Sequence, residues 1–140
     1  ILFNTYLSRH SSKIEETKIE HLKNKIGLYD GLKTYVTECK KILLSKNSLN
    51  DFGYLLNEYW QLKKNLSPNV SGNYLNGIYD LAISSGALGG KLLGAGGGGF
   101  YMFYCPKNNQ KKLIKALYKL KPLKIKFSNE GSKVIFNKKF

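Results

Sequence analysis

Hydrophobic side chains recur every three or four positions through the first half of the chain. Leu28, Leu32, Tyr35, Val36, Cys39, Ile42 and Leu43 trace the clearest stripe, and Leu49, Phe52, Leu55, Leu56, Tyr59 and Leu62 trace a second. A period near 3.6 marks helices with one face on a core. Asn47 and Ser48 end the first and cap the second. After a turn at Ser67, Pro68 and Asn69, the positions of Leu75, Ile78, Tyr79, Ala82 and Ile83 predict a further helix. Upstream, Ser12 and Glu15 stand at capping-box spacing, which predicts a helix with Ile19, Leu22 and Ile26 on one face. Residues 1–6 read as a strand, and residues 9–12 as a polar turn.

The pattern then changes. Residues 86–99 hold eight of the 14 glycines. Residues 100–105 follow, apolar on both faces, and predict a buried central strand stopped by Pro106. Residues 110–120 predict an amphipathic helix with Leu113, Ile114, Leu117 and Tyr118 inward. Residues 123–127 and 133–136 read as strands around a turn at Asn129, Glu130 and Gly131. Helices followed by strand, loop, strand, helix and strand predict an α+β fold. Its antiparallel sheet carries helices packed on one face, with extra helices besides.

At 140 residues the chain suits one domain. No apolar run approaches the ~20 residues of a membrane span, and residues 1–6 lack the basic start and cleavage site of a signal peptide. The first residue is Ile, not Met, which suits a piece of something longer. Cys39 and Cys105 have neither disulfide-framework nor metal-ligand spacing. Both are expected as buried, reduced thiols of a cytoplasmic protein. Net charge is +14, and Arg9 is the single arginine among 23 basic residues. Eight lysines and no acid lie between Lys107 and Lys126. They read either as a polyanion patch or as a solvated helix face. Base readout favours Arg forks, and no nucleic-acid motif is present, so nucleic acid is not the expected partner.

Gly94, Ala95, Gly96, Gly97, Gly98 and Gly99 formally satisfy G-x-G-x-x-G. A dinucleotide fold needs a strand before that loop and a helix after it; here the order is inverted. The P-loop pattern fails too, because Gly86 and Gly90 are one residue too close and Leu92 follows Lys91. Glycines at this density let another backbone, or phosphate oxygens, approach closely. Consecutive N–H groups then make an anion-binding nest.

Residues 91–99 (Lys, Leu, Leu, Gly, Ala, Gly, Gly, Gly, Gly) resemble the third signature of the GHMP small-molecule kinases. Leu93 stands where many members have Ser or Thr. With the lead-in at residues 86–91, this resembles the heptose 7-phosphate kinase branch. Residues 8–12, residues 59–64 with Leu66 and Ser67, and residues 129–135 resemble that branch as well.

The resemblance covers essentially the whole chain. It implies a ferredoxin-like GHMP kinase C-terminal domain over residues 1–140, without the N-terminal domain that binds ATP. That missing domain would supply the ATP phosphate loop, the base region and the Mg2+ ligands. The implied activity is transfer of a phosphoryl group from Mg-ATP to the anomeric hydroxyl of D-glycero-D-manno-heptose 7-phosphate. The product would feed surface glycan precursors such as lipopolysaccharide or capsule. No catalytic residue and no metal ligand is assigned to this chain, which is expected to be inactive alone.

Lys91 and the loop residues Gly94, Ala95, Gly96, Gly97, Gly98 and Gly99 are the implied substrate and phosphate loop. Arg9, His10 and Ser11 are candidates to contact the substrate phosphate, although Arg9 also reads as a surface ion pair. Lys91 and His10 have structural readings too. His21 reads as a surface residue, Trp60 as core, and Glu130 as a loop anchor. ATP and a sugar phosphate are the expected partners, shared with the N-terminal domain; a membrane is not. The alternatives are a fucose-, galactose- or mevalonate-type GHMP kinase, or a free-standing basic module binding anions or nucleic acid.

Overall fold

The computed structural model describes residues 1–8, 16, 19, 26–46, 48–66, 70–123, 125, 126, 128 and 130–136. In chain order the elements are β1 (Leu2–Asn4), α1 (Ile26–Leu44), α2 (Asn50–Lys64), α3 (Asn73–Ser84), β2 (Gly89–Leu92), β3 (Phe100–Tyr104), α4 (Lys107–Ala116) and β4 (Pro122–Leu123). The strands form one antiparallel sheet in the order β2-β3-β1-β4. β1 and β3 are therefore interior strands, although they lie far apart in the sequence.

Register decides which side chains form the core. Phe3 pairs with Tyr101, Tyr101 with Leu92, and Phe103 with Gly90, so these positions share one face. Phe3, Leu92, Tyr101 and Phe103 are all buried there. Leu75, Ile78, Tyr79 and Ala82 of α3, Trp60 of α2 and Leu113 of α4 cover them. Aromatic rings dominate this core. Tyr101 stacks on Phe103 at 5.1 Å, and Trp60 meets Tyr101 edge-on at 5.6 Å. The buried phenols keep hydrogen-bond partners: Tyr101 donates to the Leu75 carbonyl at 3.2 Å and Tyr79 to Asn57 Oδ1 at 2.7 Å. Burial pushes the Tyr79 hydroxyl up to about 12. Trp60 is thus a core residue, as its sequence context predicts.

α2 runs against the edge strand β2. A Cβ at Gly89 would fall inside the Gly53 carbonyl oxygen and 2.7 Å from the Asn57 nitrogen. The helix and strand backbones touch because Gly89 has no side chain. On the second face of the sheet, Phe52 meets Tyr104 edge-on at 6.1 Å, and the Tyr104 hydroxyl reaches Asn50 Oδ1 at 3.3 Å.

Several expectations change. The strand expected before the glycine loop is β2, and it lies within the glycine-rich stretch, where periodicity assigns it no residues. α4 begins at Lys107 because Pro106 sets its start. Ile114 and Tyr118 are exposed rather than inward. The C-terminal strand pair reduces to β4. Ile125 and Lys126 leave the ladder, and residues 133–136 form no strand, leaving Val134, Ile135 and Phe136 exposed. A strand needs an edge to pair with, and no edge among the described residues meets that segment. Cys105 is buried, but Cys39 is only half-buried; both are free. The expected turns at residues 9–12 and 67–69 lie outside the described residues. So does the expected helix from Ser12, apart from Glu16, Ile19 and Ile26, and Ile26 instead opens α1 with its side chain exposed. Among the described residues no helix is long and apolar enough to cross a membrane.

The α2–β2 contact yields a test. Gly89→Ala should destabilise the fold by about 1–3 kcal/mol through overpacking, read as a lower urea midpoint. Gly77→Ala, where a Cβ meets nothing within 4 Å, should leave the midpoint unchanged or raise it.

Candidate functional site

The glycine loop, residues 94–99, joins β2 to β3 across one end of the sheet. The Leu93 N–H bonds to the Phe100 carbonyl at 2.9 Å and closes its neck. Gly94, Gly96, Gly97 and Gly99 have φ of 75°, 118°, 70° and 90°, values that side chains disfavour. At Gly98 the constraint is contact rather than φ: a Cβ would sit 2.5 Å from the Leu7 carbonyl oxygen.

Two neighbouring segments hold this loop. The Gly97 N–H bonds to the Val70 carbonyl and the Gly99 N–H to the Leu7 carbonyl, both at 2.9 Å. The Gly99 carbonyl accepts from the Thr5 N–H at 2.9 Å and from the Thr5 hydroxyl at 2.8 Å. Thr5 is fully buried beneath it. Between Thr5 and Leu7 the chain turns through Tyr6, which adopts a left-handed φ of 55° while its side chain is exposed.

The amides of Gly97 and Gly99 are therefore committed to the fold. Those of Gly94, Ala95, Gly96 and Gly98 have no acceptor among the described residues. Gly96 and Gly98 are buried residues, and buried N–H groups rarely go without a partner. A pocket of about 340 Å³ lies here, with Asn4, Leu7 and Ser8 on one side and Ala95, Gly96 and Gly98 on the other. Next to it a hollow of about 180 Å³ runs from Gly97 to the start of α3 at Ser71, Gly72 and Asn73. α3 has no side-chain cap, so its positive end adds to the field at the loop. A larger hollow of about 600 Å³, among Phe52, Leu56, Met102, Tyr104 and Leu123, is mostly apolar.

Residues 40–122 match the family model described as GHMP kinases C terminal, a span that includes the whole loop. The chain belongs to the GHMP kinase family. It is 38% identical over 124 residues to the D-glycero-alpha-D-manno-heptose 7-phosphate kinase of Campylobacter jejuni subsp. jejuni serotype O:2, covering 85% of this chain and 35% of that protein. Its fold matches the L. major mevalonate kinase crystallised with R-mevalonate, with a TM-score of 0.74 and 24% identity. That match covers 84% of this chain and 37% of the kinase. The Methanococcus jannaschii mevalonate kinase matches with a TM-score of 0.70 and 25% identity, over 86% of this chain and 36% of that one. The chain thus spans about a third of each of these relatives, and its sheet and helices are the GHMP C-terminal domain fold.

The GHMP signature residues do not all meet at the loop pocket. Lys91 precedes the loop, but its amine lies 4.6 Å over the Tyr59 ring. There it lines a separate hollow of about 240 Å³ with Tyr35, Cys39 and Leu55. Arg9, His10 and Ser11 lie outside the described residues, as does His21; Ser8, just before them, lines the loop pocket. Glu130 pairs with Lys133 on the surface. Thr5, Leu7 and Val70 were missed by sequence reasoning, because their role rests on backbone carbonyls or on a buried hydroxyl that no motif encodes. Lys63 was missed also. It is 6% exposed, and its ammonium donates to the Gly94 carbonyl at 2.8 Å.

Burial lowers the Lys91 amine from its ordinary value of 10.5. Between the lowered value and 10.5 the unfolded chain binds the extra proton, so Lys91's contribution to stability rises with pH across that window. At mildly alkaline pH, Lys91 should be acylated ahead of exposed lysines such as Lys111 and Lys115, as peptide mapping would report. Equal labelling would contradict the lowered pKa.

Proposed function

We propose that this domain is the C-terminal half of an ATP-dependent sugar kinase that phosphorylates the anomeric hydroxyl of D-glycero-D-manno-heptose 7-phosphate. The observation that carries this reading is the loop pocket, where unbonded amides of Ala95, Gly96 and Gly98 gather beside Asn4 and Ser8. Phosphoryl transfer demands positioning and charge stabilisation more than covalent chemistry from the protein. Fixed N–H donors in a partly enclosed site stabilise anionic oxygens without reorganising. In this reading they bind either the sugar's 7-phosphate or the phosphoryl group in transit. Arg9, His10 and Ser11 follow directly on Ser8 and remain candidates for the substrate phosphate.

ATP and Mg2+ fall to the N-terminal domain. Among the described residues no three His, Cys, Asp or Glu side chains group to hold a metal, so no step is assigned to a metal here. The substrate class rests on the similarity to the Campylobacter enzyme and on Leu93 in the signature. The reaction would run in the cytoplasm, where ATP is supplied, and its product would enter surface-glycan synthesis.

An ADP-release assay tests the proposal. The 140-residue chain with Mg-ATP and heptose 7-phosphate should give no turnover, whereas the chain fused behind a GHMP N-terminal domain of the heptose branch should. Turnover by the isolated chain would refute the division of labour. A fused enzyme that prefers mevalonate or galactose would refute the substrate. Gly98→Ala in the fused enzyme should lower kcat/KM about 10²-fold, because it displaces the loop against Leu7.

A further inference from the structure

We propose that Lys63 is the positioning residue of the glycine loop: it turns the Gly94–Ala95 peptide so that the Ala95 N–H serves as an anion donor. This rests on the reading of the loop as the phosphate-binding element. Lys63 lies in the last turn of α2, where lysine is ordinarily solvated and merely favoured by the helix dipole. Here it is buried, a rare state for lysine unless its donors are satisfied. Its ammonium reaches the Gly94 carbonyl at 2.8 Å and the Leu92 carbonyl at 3.5 Å.

Those two carbonyls flank the exit from β2. The Leu92–Leu93 peptide is oriented from its other side as well, since the Leu93 N–H bonds to Phe100. The Gly94–Ala95 peptide has no such second hold among the described residues, because the Ala95 N–H has no acceptor there. A planar trans peptide points its C=O and N–H in opposite directions. Holding the Gly94 oxygen toward Lys63 therefore aims the Ala95 N–H away from it. Ala95 lines the loop pocket. Gly94 alone would leave this peptide free to flip, since glycine visits both signs of φ and the space where a Cβ would stand is open. An ammonium suits the task because it is compact and can bridge two carbonyls.

The test is an NMR titration of the 15N-labelled 140-residue chain with inorganic phosphate, for the native sequence, Lys63→Met and Lys63→Arg. In the native chain the Ala95, Gly96 and Gly98 amides should shift saturably. In Lys63→Met phosphate should bind about tenfold more weakly, as expected for one hydrogen bond of this kind. The Ala95 shift should be lost, while the Gly97 and Gly99 amides, held by Val70 and Leu7, keep their positions. Undiminished phosphate binding in Lys63→Met would overturn the proposal. So would uniform loosening of all the loop amides, which would mark a purely structural role. If Lys63→Met does not fold, Lys63→Arg decides: weaker binding with a displaced Ala95 amide supports the proposal, and native behaviour overturns it. A native chain whose loop ignores phosphate would fail at the prior step, removing the anion reading and this inference with it.

Discussion

A short strand from the start of the chain occupies the interior of the sheet, and the site depends on that placement. β1 pairs with β3 on one side and β4 on the other, so Phe3 enters the core opposite Tyr101. The chain leaving β1 must then pass the end of the sheet where β2 turns back into β3. Thr5 and Leu7 meet Gly99 there, and Leu7 and Ser8 become one wall of the loop pocket. Residues far apart in sequence thus share one hydrogen-bonded rim. The loop is held by the same topology that closes the core, not by its own sequence. The left-handed φ of Tyr6 fits this picture. A non-glycine residue in that region costs about 1–2 kcal/mol, and its place between Thr5 and Leu7 keeps both against the loop.

How far the fold was legible depended on periodicity. α1, α2 and α3 stand close to where their apolar stripes lie, but only α2 and α3 carry theirs into the core of the sheet; α1 packs on α2 and leaves Val36 and Leu43 of its stripe exposed. β3 was legible as an apolar run flanked by glycine and proline. β2 was expected ahead of the loop but its residues were hidden, since Gly89 and Gly90 look like loop residues and Lys91 breaks the apolar pattern. Yet the missing side chains that hid the strand are what allow it, because Gly89 admits the backbone of α2 and Gly90 lies under Phe103. The C-terminal strand reading failed for the opposite reason. Val134, Ile135 and Phe136 have strong strand propensity, but propensity forms no strand without a partner edge.

The candidate site was legible as a motif and not as a mechanism. The signature marked the loop, but it could not say which amides the fold would take. That depended on Val70 and Leu7, whose carbonyls carry no signal in their side chains. Nor did it separate Lys63 from Lys64. Both sit at the end of an amphipathic helix, and only the tertiary position of α2 against β2 buries the first. Lys91, the most conspicuous cation of the motif, turned instead toward Tyr59. It stands opposite Met102 in the ladder, on the face of the sheet away from the aromatic core.

The loop meets two demands that pull against each other. A phosphate nest needs N–H groups left without internal partners, and such groups make a loop mobile. A transferring enzyme needs those same groups fixed. Here the amides of Gly97 and Gly99 anchor the loop to Val70 and Leu7, while those of Ala95, Gly96 and Gly98 stay available beside the pocket. Gly96 and Gly98 are constrained by their neighbours' anchors, because each lies next to a held peptide. Ala95 is too far from either anchor for that. Its direction has to be set from the other end of the loop, which is where the buried ammonium of Lys63 lies.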